Sequence, residues 1–119
     1  MALHSRAQFG KWGEDFACHY LTQQGYTILT RNYRSAFGEI DIIVENKGEI
    51  TFVEVKSRKT LMFGTPAAAV TKSKQTKIHS TAFQYLHTCN KRYRQFWFDV
   101  VEIYVVDGKT TINHIQHCF

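Results

Sequence analysis

Apolar residues near the start of the chain recur every three or four positions, which is the spacing that places side chains on one face of a helix. The residues with this spacing are Phe9, Trp12, Phe16, Tyr20 and Leu21. The pattern predicts a helix over residues 5–24, and Gly25 directly after it is suited to end the helix.

A second helical pattern lies in the middle of the chain. It begins at Thr65-Pro66, where a threonine N-cap precedes proline at the first helical position, and it continues to about residue 89. Its predicted apolar face consists of Ile78, Ala82, Phe83 and Leu86.

The other apolar segments are rich in β-branched and aromatic residues, a composition typical of strands. The predicted strands are residues 26–33, 38–45, 50–56, 96–106 and 110–115. The turn residues 46–49 and Asp107-Gly108 favour tight hairpins, so the strands around each turn are predicted to be antiparallel neighbours. The order αβββαββ indicates a fold that combines helices and strands. No repeat or linker divides residues 1–119 into more than one domain.

Composition agrees with a single compact domain. The chain has 119 residues, of which 44% are hydrophobic and one is proline. Its cysteines, Cys18, Cys89 and Cys118, are odd in number and far apart, so we expect neither a disulfide framework nor a zinc ribbon. A reducing, cytoplasmic setting is expected. No stretch has the apolar length of a signal peptide or a membrane span, so no membrane partner is expected.

The charge of the chain is unevenly distributed. Residues 55–98 contain nine Lys and Arg and no Asp or Glu, whereas the rest of the chain contains six bases and ten acids. A surface rich in Lys and Arg binds polyanions because the counterions of the polyanion are released, and nucleic acid is the commonest such partner. The alternative is a solvated basic face that only aids solubility.

The hairpin of the second and third predicted strands contains charged residues that could form a functional site. Because side chains alternate between the faces of a strand, Ile40, Ile42 and Val44 are predicted on one face and Glu39, Asp41 and Ile43 on the other. A two-residue turn at Lys47-Gly48 would place Asp41 directly across from Glu54, and Glu39 across from Lys56.

Two carboxylates directly opposite one another on paired strands repel unless a cation lies between them. Oxygen ligands with room for water suit Mg²⁺, with Mn²⁺ as a second candidate. Two alternatives stay open. A three-residue turn would pair Asp41 with Val53 and send Glu54 to the opposite face, unless a bulge restored the phase. A plain ion pair between Glu39 and Lys56 would have no functional consequence.

The order of these residues resembles a known signature. Asp41, followed after twelve residues by Glu54-x-Lys56, resembles the PD-(D/E)xK pattern of the restriction-endonuclease-like superfamily, with Ile40 in place of the nominal proline. Over nearly the whole chain the sequence resembles the YraN family of small bacterial endonuclease-like proteins, and its spacing is similar to that of archaeal Holliday-junction resolvases. The segments that carry the resemblance are Gly13-Glu14, Asn32-Tyr33-Arg34, residues 38–43, residues 52–58 and Phe98-Asp99-Val100-Val101.

The resemblance implies a restriction-endonuclease-like fold, with a mixed central sheet flanked by helices. It also implies that Asp41, Glu54 and the backbone carbonyl of Val55 hold the divalent metal. Lys56 is then expected to position the attacking water and to stabilise charge on the scissile phosphate. Glu14 matches an acid that completes the site in the resolvase-like branch; the alternative is an exposed helical glutamate.

The resemblance also places a basic residue at Lys74, which is expected to reach toward phosphate. Arg58, Lys59, Lys72 and Lys77 are expected to contact the nucleic-acid backbone, although each is equally consistent with a solvated surface position.

Histidines and aromatics add weaker signals. His114, His117 and Cys118 form one short cluster without distant partners, which seldom makes a closed metal site. Trp12, Trp97 and Phe98 have the spacing of core residues, although aromatics of this kind can also stack on bases.

The sequence favours a Mg²⁺-dependent endonuclease that acts on structured or branched DNA in recombination or repair. A homodimer and a DNA-repair partner protein are implied by the resemblance to resolvases. The main alternative is a nucleic-acid-binding or partner-activated protein that keeps the fold but cuts little alone, and a third is a scaffold with an accidental charge cluster.

Overall fold

A computed structural model describes residues 5–59 and 70–119, and the order of elements in it is αβββαββ, as predicted. The elements are α1 (Arg6–Gln23), β1 (Thr27–Arg34), β2 (Glu39–Asn46), β3 (Glu49–Arg58), α2 (Lys72–Thr88), β4 (Gln95–Val106) and β5 (Lys109–Ile115). The described part of the chain contains no helix long and apolar enough to cross a membrane.

The strands form one five-stranded sheet in the order β1-β2-β3-β4-β5. β1, β2 and β3 are antiparallel neighbours, β4 and β5 form a second antiparallel pair, and β3 and β4 are parallel. Parallel neighbours need a crossover between them, and here the crossover carries α2. The mixed α+β fold expected from the resemblance is confirmed.

The two helices cover opposite faces of the sheet. Ala17 and Leu21 of α1 pack with Ile42, Val44, Val53, Val101 and Ile103 on one face. On the other face, Ile78 and Ala82 of α2 pack with Ile43, Phe52 and Val100. Each central strand therefore buries side chains in both directions, which explains its nearly continuous apolar composition.

Local chemistry sets the helix starts and the turns. The Ser5 hydroxyl accepts from the Gln8 N–H at 3.0 Å, and the Thr71 hydroxyl accepts from the Lys74 N–H at 3.2 Å, so each caps a helix. At the tip of the β2–β3 hairpin, Lys47 and Gly48 have φ angles of 52° and 80°. These values suit a two-residue hairpin turn of type I′.

The predicted start of the second helix is wrong within the described residues. Val70 and Thr71 are not helical, and α2 begins at Lys72 because the Thr71 hydroxyl provides the N-cap. The proposed cap at Thr65-Pro66 lies outside the described residues. The end of the helix agrees closely, since Thr88 is its last residue.

Several aromatics predicted in the core are not fully buried. Phe98 is buried, and Trp12 and Trp97 are half-buried. Phe16 and Phe83, predicted on the apolar faces of the helices, are 36% and 51% exposed. On each helix the buried face is completed by small residues instead, Ala17 on α1 and Thr81 with Ala82 on α2. The cysteines Cys18, Cys89 and Cys118 are all free thiols.

Candidate functional site

The β2–β3 hairpin carries the two predicted metal ligands. Its ladder pairs Asn46 with Glu49 and continues to Ile42 opposite Val53, which confirms the register of a two-residue turn. The ladder ends one residue short of Asp41 and Glu54, whose carboxyl groups lie close enough to shift each other's pKa. The Val55 N–H donates to Asp41 Oδ2 at 2.8 Å and so orients this side chain.

The regular alternation of β2 breaks at Asp41. Ile40 packs in the cluster beneath α2 together with Ile43, whereas Ile42 packs beneath α1. The prediction that Ile40 and Ile42 share a face, with Asp41 and Ile43 on the other, is therefore wrong. Asn32 on the neighbouring strand β1 has a φ of 52°, an uncommon value for a residue other than glycine. The irregular backbone therefore lies beside Asp41.

Burial and mutual repulsion make the acid pair hold a proton tightly. Burial raises the pKa of Glu54 to about 7, and the charge of Asp41 adds to the shift. Burial also raises the pKa of Asp41, although the hydrogen bond from the Val55 N–H works in the opposite direction. Such a pair is electrostatically prepared to exchange its proton for a divalent cation.

Two lysines contact the same oxygen of Glu54. Lys56 Nζ lies 3.6 Å and Lys74 Nζ 3.7 Å from Glu54 Oε1. Lys56 comes from β3 itself, and Lys74 comes from the first turn of α2. Burial lowers the pKa of Lys56, and the adjacent Lys74 adds to this effect. Lys74, which the resemblance expects to reach toward phosphate, therefore lies beside the acids.

Glu14 reaches the same region from α1. Burial raises the pKa of its carboxyl group, and the nearby charge of Asp41 adds to the shift. Arg31 NH2 lies 3.8 Å from Glu14 Oε1. With its amide nitrogen turned toward the acids, Asn32 donates to Glu14 at 3.1 Å and to Glu39 at 3.2 Å. Glu14 is therefore not an ordinary exposed helical glutamate.

Close packing of α1 on β3 brings Glu14 close to the acids Asp41 and Glu54. A β-carbon added to Gly13 would lie 1.8 Å from Ser57 Oγ, so only glycine allows the helix to pass Ser57 at this distance. Ser57 is not among the site residues that the sequence predicts. The hydroxyl group of Ser57 is buried and has no hydrogen-bond partner in the described part of the chain.

These groups line one open cleft with a volume of about 530 Å³. Glu14, Asp41, Glu54 and Lys56 lie in its wall, together with Lys59 from the end of β3. The sequence-predicted catalytic residues are thus brought together from three elements: α1, β2 and β3.

The four residues predicted to contact the nucleic-acid backbone occupy different kinds of position in the structure. Lys72 and Lys77 are exposed on α2, and Lys59 lines the cleft with its Nζ 5.1 Å from the centre of the Phe9 ring. Arg58 instead donates to the fully buried Glu102 at 3.0 Å. This buried ion pair gives Arg58 a structural partner that sequence analysis did not find.

Two other residues that stand out in the sequence, Glu39 and His114, have defined partners in the structure. Glu39 lies 3.5 Å from Arg34 on β1, so its ion pair is with the neighbouring edge strand and not with Lys56. His114 lies between buried Asp99, at 2.7 Å, and the Tyr20 hydroxyl, at 3.1 Å.

The carboxylates of Asp41 and Glu54 suit Mg²⁺ better than they suit a metal ion whose ligands all come from the protein. Within residues 5–59 and 70–119, no group of three or more His, Cys, Asp and Glu side chains could hold a metal ion. Mg²⁺ commonly uses one or two carboxylates and completes its shell with water and substrate phosphate. Asp41 and Glu54 meet that requirement, since they supply two hard oxygen donors in an open cleft.

Fold and site together define a small mixed α+β protein with a carboxylate and lysine cleft at one end of its sheet. The chain belongs to the UPF0102 (YraN) family, described as an uncharacterised protein family, whose model matches residues 13–103. A UPF0102 protein of Syntrophomonas wolfei is 43% identical over 94% of this chain and 97% of its own length. Another, from Alkaliphilus oremlandii, is 44% identical over the same shares of the two chains. A UPF0102 protein of Clostridioides difficile is 43% identical over 92% of this chain and 95% of its own.

Proposed function

We propose that this protein is a divalent-metal-dependent endonuclease that hydrolyses phosphodiester bonds in DNA, with branched or otherwise structured DNA as its substrate. The observation that carries the proposal is the adjacent pair of Asp41 and Glu54 in one cleft with Lys56 beside it. A protein that only binds nucleic acid gains nothing from two carboxylates in its binding cleft, because they repel phosphate.

Each residue of the cleft has a distinct role in this proposal. Asp41 and Glu54 hold Mg²⁺ or Mn²⁺, assisted by the backbone carbonyl of Val55. When bound, the ion lowers the pKa of water and neutralises charge on the phosphate. The Val55 N–H keeps Asp41 oriented, which limits the reorganisation needed at the start of the reaction.

The lysines act on the substrate. Lys56 positions the attacking water and stabilises the negative charge that develops on the scissile phosphate. Lys74, 45% exposed beside Glu54, binds an adjacent phosphate. Glu14 takes part from the α1 side, where burial raises the pKa of its carboxyl group and makes it a better proton acceptor. A homodimer would present two such clefts to the arms of a branched substrate, and a repair protein is the proposed partner.

The deciding experiment is cleavage of labelled branched, flapped, single-stranded and duplex DNA with Mg²⁺ or Mn²⁺. Asp41→Asn and Glu54→Gln keep the side-chain shape but remove the charge, and each is expected to reduce the cleavage rate at least ~100-fold. Glu45→Gln is the matched control, because Glu45 lies on the same hairpin at the end away from the cleft. Both cleft variants should bind DNA at low salt at least as tightly as the wild type.

A second readout concerns the metal alone. Mg²⁺ or Mn²⁺ at 100 times its Kd is expected to raise the free energy of unfolding by about 2.7 kcal/mol, and Asp41→Asn should abolish the effect. If the wild-type protein cuts none of these substrates but binds them in a salt-sensitive manner, the endonuclease proposal is wrong for the isolated protein. The binding or partner-activated function would then replace it.

A further inference from the structure

A groove lined by aromatic rings lies on the α2 face of the sheet, away from the metal-ligand pair. The aromatic groove consists of His79 and Phe83 from α2, Phe96, Trp97 and Phe98 from β4, and His117 and Phe119 from the segment after β5. Its volume is about 340 Å³. Phe98 forms the floor, while Phe83 and Phe96 are 51% and 39% exposed.

The groove exists because β4 is longer than its neighbour. The ladder between β4 and β5 covers β4 only from Val100 to Val106, so residues 95–99 extend beyond β5. The segment after β5 crosses this extension, where the Cys118 N–H donates to the Phe98 carbonyl at 2.9 Å. This crossing places His117 against Trp97, with ring centres 3.7 Å apart and nearly parallel planes.

The exposed rings contact one another, and Phe119 stacks on Phe98 with ring centres 5.4 Å apart. The Phe83 and Phe96 rings are perpendicular at 5.7 Å, and Phe96 is perpendicular to Phe98 at 6.0 Å. His79 lies 4.4 Å from Phe98. Leaving two phenyl rings in water loses the free energy that their burial would provide, which is typical of surfaces that bind a ligand.

Charge favours a polyanion as that ligand. Helix α2 contains no acidic residue, and its lysines at 72, 74 and 77 are exposed. Lys72, His79 and Phe83 are spaced by seven and four residues, which places them along one side of the helix. The acids beside the groove are engaged by protein groups: Glu49 accepts from Trp97 Nε1 at 2.6 Å and lies 3.2 Å from Arg94, and buried Asp99 accepts from the His117 N–H at 2.9 Å.

The groove and the cleft are joined by the same helix. Lys74 contacts Glu54 at the cleft, and Phe83 lies nine residues further along α2, about 13 Å at 1.5 Å per residue. Along the sheet, Val100 pairs with Glu54, and Phe96 lies four residues earlier on β4, again about 13 Å. This distance equals about four base steps of duplex at 3.4 Å each, and fewer steps of an extended single strand.

We propose that the aromatic groove binds unpaired nucleobases by stacking, and that α2 guides the same strand to the cleft. Every base has a π face, so stacking on Phe83 and Phe96 needs no particular sequence, while the lysines of α2 bind the backbone. The choice of DNA as ligand rests on the proposed function. The consequence is a preference for DNA with a single-stranded segment beside the cutting site.

The test uses fluorescence of 2-aminopurine in an overhang of a short duplex, with EDTA present so that no cleavage occurs. Stacking quenches this base. The variant Phe83→Leu/Phe96→Leu keeps apolar side chains but removes the rings, and both positions are exposed enough for the fold to tolerate the change. Phe16→Leu is the matched control, because Phe16 is an exposed phenylalanine on α1 at the opposite face.

The double variant is expected to lose the quenching and at least about fivefold in affinity for overhang DNA, while its affinity for blunt duplex stays unchanged. The control should behave as the wild type. Equal losses on overhang and blunt DNA, or no loss at all, would overturn the proposal. It is also overturned if the wild type sediments as a dimer, the double variant as a monomer, and overhang affinity does not change, since the groove is then a contact between two copies.

Cleavage with Mg²⁺ separates this inference from the proposed function. If the wild type cuts no substrate but shows quenching that depends on Phe83 and Phe96, the groove assignment holds and the nuclease proposal fails. If the wild type cuts DNA and the overhang base is not quenched, the groove assignment fails and the nuclease proposal holds.

Discussion

Burial of Glu54, together with repulsion from Asp41, should make the metal-free protein lose stability as the pH rises toward neutrality. Glu54 has a pKa of about 7 in the folded protein, against an ordinary value of 4.5, because it is buried beside Asp41. Below pH 4.5 the carboxyl group is protonated in both the folded and the unfolded state. Between pH 4.5 and 7 the unfolded chain releases the proton while the folded protein retains it, so the free energy of unfolding falls with increasing pH.

The size of this loss follows from the difference between the two pKa values. Each pKa unit corresponds to 1.36 kcal/mol, so Glu54 should account for a loss of about 3 kcal/mol between pH 4.5 and pH 7.5. Glu54 is buried, so little of this value is lost to solvent screening. For a protein of this size, such a loss is a large fraction of the total stability.

The measurement is urea unfolding across pH 4.5–7.5 with a chelator present, for the wild type, Glu54→Gln and the control Glu45→Gln. The glutamine side chain does not titrate, so Glu54→Gln should lack about 3 kcal/mol of the decline, whereas Glu45→Gln should follow the wild type. Saturating Mg²⁺ should reduce the decline in the wild type, because the cation compensates the carboxylate charges. Parallel pH profiles for the wild type and Glu54→Gln would refute the reasoning about burial and repulsion.

Two further predictions concern the packing around the cleft. Gly13→Ala should destabilise the protein by about 1–3 kcal/mol because the added β-carbon meets Ser57, and Ser57→Gly should restore part of the loss. Thermal unfolding measures both effects, with Gly10→Ala as the control because Gly10 has open space around it. Equal destabilisation at the two glycines would contradict the prediction. Arg58→Met should lower the free energy of unfolding by about 3–5 kcal/mol, because it leaves the buried Glu102 carboxylate without this partner. Urea unfolding measures the loss, and Arg58→Met/Glu102→Met should recover most of it. An Arg58→Met variant as stable as the wild type would show that the pair does not stabilise the fold.

The hairpin and its acids could be predicted because their determinants are local. The turn residues 46–49 predict the hairpin, but they allow either a two-residue or a three-residue turn. The structure has the two-residue turn at Lys47-Gly48, which sets the register that brings Asp41 and Glu54 together. Lys56 lies beside Glu54 because both residues belong to the same strand. The contact of Lys74 with Glu54 was not predicted, because it depends on how α2, which follows the N-cap at Thr71, packs on the sheet.

What the sequence could not show depends on irregular backbone or on distant contacts. The phase break at Asp41 accompanies the positive φ of Asn32 on the neighbouring strand, and no alternation rule predicts it. The partner of Arg58 became visible only through the parallel pairing of β3 with β4, because Glu102 lies 44 residues away. The exposure of Phe83 has a similar origin, since it depends on where β5 stops.

The two-residue turn also has a consequence for how the cleft assembles and opens. Asp41 and Glu54 belong to one hairpin, so bringing them together closes only a short loop and costs little chain entropy. Glu14 and Lys74 come from helices on opposite faces of the sheet, and each must close a longer loop to reach the acids. Detachment of α1 therefore removes Glu14 while Asp41 and Glu54 stay opposed. Hydrogen exchange should accordingly show the amide of Val55 exchanging more slowly than the amides of α1.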